Sequence, residues 1–286
     1  MRGWTRSVAL AGAALVLWSG AAWGEVVSQD FPWGAKGTAD YRPGEPGRPA
    51  VVVLHGFLQT RNFSTVARAA QTLAEEGYTV LAPTLTLGIS DRRQSLACEA
   101  IHTHSVEQGI TELARWVAWL REQGHERVVP VGHSSASMIL AGYAEQGPHP
   151  AVSRLVLVSA TPFGANQVDH QQPFHAEQAR NALETGDTPI GSYALGYCER
   201  FISPPETFLS YYDWGRERML EAIAASPVPV DVVIGSADER IDAQWLEGLR
   251  AAADHLVVVD GANHFFDTAY EFDLHDRILG FLGRGD

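Results

Sequence analysis

Short, wholly apolar runs rich in β-branched residues alternate along this chain with stretches of helical period, and few folds accommodate that alternation. Val51-Val52-Val53-Leu54 is the first such run. Residues 63–76 suit a helix that stops at Gly77, and Tyr78 to Ala82 is strand-like again and ends at Pro83. From Val106 the apolar residues Ile110, Leu113, Val117 and Leu120 recur on one helical face, and the period ends near Gly124. Further strands are expected at 127–131, 155–159, 230–234 and 256–259, and helices at 135–145, 244–253 and 269–282. A strand without a polar face must be covered on both sides. The pattern therefore predicts an α/β chain, a mainly parallel, doubly wound sheet with helices on both faces.

Residues 163–226 break this rhythm. The stretch is too long for an ordinary connection and carries Pro173, Pro189, Pro204 and Pro205 among many aromatics, so it is expected to be an inserted cap. The core then comprises 25–162 and 227–286, with an edge hairpin somewhere in 25–49. Ahead of it, Arg2 and Arg6 precede an apolar run from Val8 to Trp18, and Ala22-Trp23-Gly24 offers small residues where a signal peptidase cuts. Residues 1–24 are expected to be a signal peptide cleaved after Gly24, with export to the periplasm or medium; an uncleaved membrane anchor is the alternative. Cleavage takes away two arginines and no acids, moving the formal charge from −13 to −15. With 21 Lys and Arg against 34 Asp and Glu, the chain has no basic field for nucleic acid or an anionic membrane. In an exported chain Cys98 and Cys198 form the one possible intramolecular pair, and a disulfide is expected there; two separately buried thiols are the alternative.

Three segments carry chemistry. In Val131-Gly132-His133-Ser134-Ser135-Ala136, a buried strand hands over to a helix, and a serine on such a tight turn is held out at the sheet edge. Serine is also a common N-cap, so this segment by itself leaves two readings of Ser134 open. Ile234-Gly235-Ser236-Ala237-Asp238 places an acid just past a strand end, and Gly261-Ala262-Asn263-His264 places a histidine just past the last strand. Asp231 falls at a strand start, Asp242 looks like an N-cap, Asp260 lies on the last strand's exit, and His275 in the C-terminal helix is expected at the surface.

With Ser, Asp and His in that order, each at a strand end, residues 50–282 resemble the α/β-hydrolase fold superfamily, in particular its serine hydrolases of the lipase and esterase kind. The resemblance implies that Ser134 is the nucleophile, His264 its general base and Asp238 the acid that orients the imidazole. It implies further that Leu54-His55-Gly56-Phe57 is the oxyanion loop, with the backbone N–H groups of Phe57 and Ser135 as donors and His55 as a structural hydrogen-bonding residue. Two positions depart from the family pattern: Ala136 stands where G-x-S-x-G has its last glycine, and the loop is His-Gly-Phe instead of His-Gly-Gly-Gly. The implied activity is cleavage of a carboxylic ester or related acyl derivative, from a small-molecule or lipid-like substrate, through an acyl-enzyme and without a cofactor. Thioesterase, peptidase, acyltransferase and cofactor-free perhydrolase chemistry use the same triad, and a non-catalytic binding protein on the same shell is the rival class.

The remaining clusters carry less. His102 with His104, and His170 with His175, lack the partners of a metal set, so no metal is expected. Arg92-Arg93 reads as a solvated loop. Phe201, Phe208, Tyr211, Tyr212 and Trp214 either line a cap or simply build a core.

Overall fold

The computed structural model describes residues 24–163 and 172–284. The expected leader lies outside these residues apart from Gly24, as does His170 of the second histidine pair. The chain runs β1 (Glu25–Asp30), β2 (Lys36–Arg42), β3 (Ala50–Leu54), α1 (Ser64–Glu75), β4 (Thr79–Thr84), α2 (Val106–Glu122), β5 (Val128–His133), α3 (Ala136–Glu145) and β6 (Leu155–Val158). It continues through α4 (Gln172–Thr185), β7 (Gly191–Leu195), β8 (Cys198–Ser203), α5 (Pro205–Tyr212) and α6 (Arg216–Ala224). It closes with β9 (Val230–Gly235), α7 (Ala243–Ala252), β10 (His255–Val259) and α8 (Tyr270–Leu282).

Eight strands form one sheet in the order β1-β2-β4-β3-β5-β6-β9-β10. From β4 to β10 every neighbouring pair is parallel, while β1 and β2 are the antiparallel edge hairpin. The apolar run of β3 explains itself here. Val52 and Leu54 point into the core shared with α2 and α3, Val51 and Val53 into the core shared with α1 and α8, and all four are buried. Full burial of such a side chain contributes roughly 1.5–3 kcal/mol, so a polar residue at any of the four positions would work against the fold. In α2, Ile110, Leu113, Trp116, Val117 and Leu120 are all buried on the helical stripe that the period predicts, behind a capping box made by Ser105 and Gln108.

Strand β4 runs two residues further than expected, through Pro83 to Thr84. The extension pairs with β2 alone, where Ala39 stands opposite Pro83, because β3 pairs with β4 only as far as Leu81; proline is tolerated where one side of the strand is unpaired. Between β6 and β9, α6 packs against α3 and α7 and completes the crossover of two parallel strands. The two-stranded sheet β7-β8, with α4 and α5 packed on it, is the part of 163–226 that the crossover does not need. A disulfide joins Cys98, in the loop after β4, to Cys198 at the start of β8, with the Cα atoms 5.5 Å apart.

Candidate active site

Ser134 sits between β5 and α3 with φ +56°, a left-handed conformation that costs a non-glycine residue about 1–3 kcal/mol and holds the side chain away from both elements. The turn is tied down from both sides: Ser134 N–H donates to Val158 O (2.8 Å), and Ser137 N–H donates to Ser134 O (2.9 Å). A Cβ at Gly132 would come within 3.0 Å of the Leu140 side chain and 3.1 Å of Ala136, so strand and helix cross too closely there for a larger residue. Ala136, fully buried, shows that the final small position of the motif accepts one methyl.

Asp238 and His264 arrive from the ends of β9 and β10. Their loops touch through backbone: Ala237 N–H donates to Ala262 O (2.9 Å), and a Cβ on Gly235 would lie 2.1 Å from that same oxygen. His264 Nδ1–H then donates to Asp238 Oδ2 (2.7 Å), and Ser134 Oγ–H donates to His264 Nε2 (2.9 Å). The three predicted side chains therefore form one hydrogen-bonded chain. Burial pushes His264 below the ordinary imidazole pKa, against the opposing pull of the Asp238 hydrogen bond and charge. Burial would raise the Asp238 carboxyl, but the His264 hydrogen bond and charge, the Arg240 N–H and the Arg240 guanidinium together hold it below the usual carboxylate value.

Phe57 and Ser135 line the same cleft as Ser134 and His264. Among the described residues neither backbone N–H has an internal acceptor, which is what an anion-binding pair requires. His55 plays the structural part expected of it. Its Nδ1–H donates to Gly56 O (2.9 Å) and its Nε2 accepts from Leu85 N–H (3.0 Å), while burial and the Arg92 charge take its pKa down to about 3. The Phe57 ring packs edge-on against Phe163 (centroids 4.8 Å) and Tyr211 (5.3 Å).

Two expectations need correction. Arg92 is not solvated: it is only 5% exposed, and its guanidinium donates to Leu85 O, Gln94 O and Gln59 O. It is a buried clamp on the loop after β3, and the Gln59 carbonyl it holds there lies 33 residues away in sequence. His275 is 8% exposed and faces Thr72 of α1, because α8 lies on the sheet with α1 instead of on the surface.

Other functional candidates carried no sequence signal of their own. The His264 carbonyl accepts two hydrogen bonds, from Ser159 Oγ (2.7 Å) and from His133 Nε2–H (3.0 Å), so the residue before Ser134 and the residue after β6 hold the His264 loop. Tyr197, at the turn between β7 and β8 and beside Cys198, donates its hydroxyl to Phe57 O (3.1 Å). Asp242 caps α7 by accepting from Trp245 N–H, as expected. His102 and His104 are occupied internally: Tyr211 O–H donates to His104 Nδ1, His104 Nε2–H to His102 Nδ1, and His102 Nε2–H to Ala97 O. Phe201, Phe208, Tyr211 and Trp214 are buried, and Phe201 and Tyr211 reach the Phe57 ring, so these aromatics join the core to the wall of the cleft.

Residues 51–272 match the model of the alpha/beta hydrolase family. The chain belongs to that family. Among curated proteins, no sequence matches this alpha/beta hydrolase. Its fold is similar to the crystal structure of the alpha/beta hydrolase GrgF from Penicillium sp. sh18, at 15% identity and a TM-score of 0.70 over 91% of this chain and 97% of that one. It is also similar to a soluble variant of monoglyceride lipase from Saccharomyces cerevisiae in complex with a substrate analog (16%, TM-score 0.68, covering 92% and 96%). Est1E from Butyrivibrio proteoclasticus is a third similar structure (15%, TM-score 0.63, covering 90% and 97%). At these identities the likeness concerns the fold.

Proposed function

We propose that this alpha/beta hydrolase is an exported serine hydrolase that cleaves a carboxylic ester through an acyl-enzyme. The observation that carries the reading is the hydrogen-bonded chain from Ser134 through His264 to Asp238, opening on a cleft with two unengaged backbone N–H groups. Ser134 Oγ bonds to the ester carbonyl carbon as its proton passes to His264 Nε2, and the oxyanion is held by Phe57 N–H and Ser135 N–H. Collapse of the intermediate breaks the bond to the alcohol oxygen, which takes the proton from His264. Water, deprotonated by His264, then attacks the acyl carbon and releases the acid and free Ser134. The β7-β8 hairpin and α4 serve as the cap of the cleft. Among the fold neighbours, Est1E has been solved with ferulic acid bound and the yeast monoglyceride lipase with a substrate analog, which agrees with a small acyl substrate. Export is supported by the signal-like pattern of residues 1–24 and by the Cys98–Cys198 disulfide.

The test is hydrolysis of 4-nitrophenyl esters of increasing acyl length by the protein and by Ser134→Ala and His264→Ala. Both substitutions should reduce kcat by about 10³-fold or more. Turnover that survives in Ser134→Ala, or no turnover and no acylation of Ser134 in the unmodified protein, would leave the hydrolase shell as a binding protein.

A further inference from the structure

Besides the titrating His264, one side chain among the described residues lining the catalytic cleft bears a formal charge, and it is a cation, Arg240. The rest of the wall is aromatic or neutral, in a chain whose net charge is −13. Arg240 stands two residues after Asp238. Its guanidinium lies 5.5 Å from the Phe265 ring centre and 3.7 Å from Asp238 Oδ1, beyond hydrogen-bond length. The contact with Asp238 is an ion pair without a hydrogen bond, and Asp238 accepts instead from His264 Nδ1–H through Oδ2 and from the Arg240 backbone N–H (3.0 Å) through Oδ1. Among the described residues the guanidinium makes no hydrogen bond, yet its side chain is only 30% exposed. Packing against Phe265 restricts the side chain before any ligand arrives, so little rotamer freedom remains to be lost on binding. A half-buried guanidinium fork with unused donors matches a planar carboxylate.

The side of the cleft on which it stands gives the ligand's orientation. His264 must protonate the departing alcohol, and Phe265, under Arg240, has its ring 5.0 Å from that of His264. The Phe57 and Phe163 rings line the cleft on the side of the proposed oxyanion donor Phe57 N–H instead, which leaves that wall to the acyl portion in the proposed pose. We infer that Arg240 is a specificity residue that selects esters carrying a carboxylate on their alcohol portion. This rests on the serine-hydrolase reading above and adds a substrate class to it.

Two pairs of acyl donors test the inference: 4-acetoxybenzoate against 4-acetoxybenzamide, with the charge on the leaving group, and 4-nitrophenyl hydrogen adipate against 4-nitrophenyl hexanoate, with the charge on the acyl group. The quantity read is the charged-to-neutral ratio of kcat/KM, so any general effect of a substitution on turnover divides out. In Arg240→Gln the leaving-group ratio should fall about 10- to 100-fold, the range for a hydrogen bond to a charged group. Arg240→Lys, a point charge without the fork, should be intermediate. Added salt should lower the ratio in the unmodified protein and not in Arg240→Gln. A leaving-group ratio unchanged within about threefold overturns the inference, as does a fall confined to the acyl-side pair. Calorimetric titration of Ser134→Ala with 4-acetoxybenzoate and 4-acetoxybenzamide reads the same selectivity without turnover, and equal affinities overturn it. Failure of the hydrolase reading looks different, because then the neutral esters are not cleaved either, or are cleaved by Ser134→Ala.

Discussion

At the residue scale, environment decides what each titratable group does. His264 must be neutral to accept the Ser134 proton, and its pKa is held below 6.5 chiefly by burial. The acid limb of a kcat/KM profile should therefore have its midpoint below pH 6.5, and a midpoint at or above that value would contradict the assignment of the base. Glu112 is the opposite case. It is buried under the loop after β4, accepts from Thr86 N–H (2.9 Å) and Thr86 Oγ1–H (2.5 Å), and burial still raises its carboxyl to about 7. A folded pKa above the unfolded one means that folding takes up a proton. The associated stability is complete below about pH 4.5 and is lost as pH rises through about 7. The Tm of Glu112→Gln should thus gain on that of the unmodified protein between pH 5 and 8, with roughly 3 kcal/mol as the upper bound.

At the scale of elements, the site depends on how closely strand ends approach. The turn after β9 and the loop after β10 meet at Gly235 and Ala262, where a Cβ would overlap a backbone oxygen. Gly235→Ala must push the two loops apart and with them the Asp238–His264 pair. Its kcat should fall at least about tenfold with a loss of about 1–3 kcal/mol in stability, both measured on the purified variant against ester turnover and thermal unfolding. Much at this scale was legible in the sequence. The runs at 51–54 and 155–158 announce strands because both faces of a central parallel strand are apolar, and 230–234 does so despite Asp231, which is buried in an ion pair with Arg154. The boundary at Pro83 was not legible, since whether proline ends a strand depends on how far its neighbour extends, and β3 stops pairing at Leu81.

For the whole molecule, the disulfide ties the loop after β4 to the hairpin that bears Tyr197. Cross-linking across 100 residues stabilises the fold by up to about 4.7 kcal/mol on the chain-entropy model. Cys198 is the neighbour of Tyr197, whose hydroxyl bonds to Phe57 O, 140 residues away in sequence. Reduction, or the pair Cys98→Ser with Cys198→Ser, should lower Tm by several degrees. It should also lower kcat at temperatures where circular dichroism still reports a folded chain. Loss of stability with full kcat would show that the hairpin holds its place over Phe57 without the bond.

The sequence by itself determined the alternation of strands and helices, the turn at Ser134, and the order of serine, acid and histidine. Each of these depends on a local physical rule: burial on two faces, a tight turn between small residues, a polar residue just beyond an apolar strand. Only the tertiary structure decided that Arg92 is a buried clamp, that His133 and Ser159 grip the His264 carbonyl, and that Arg240 and Tyr197 enter the cleft. Those roles belong to groups brought together from distant segments, and the free energy of such a contact depends on a partner that no local window of the chain contains.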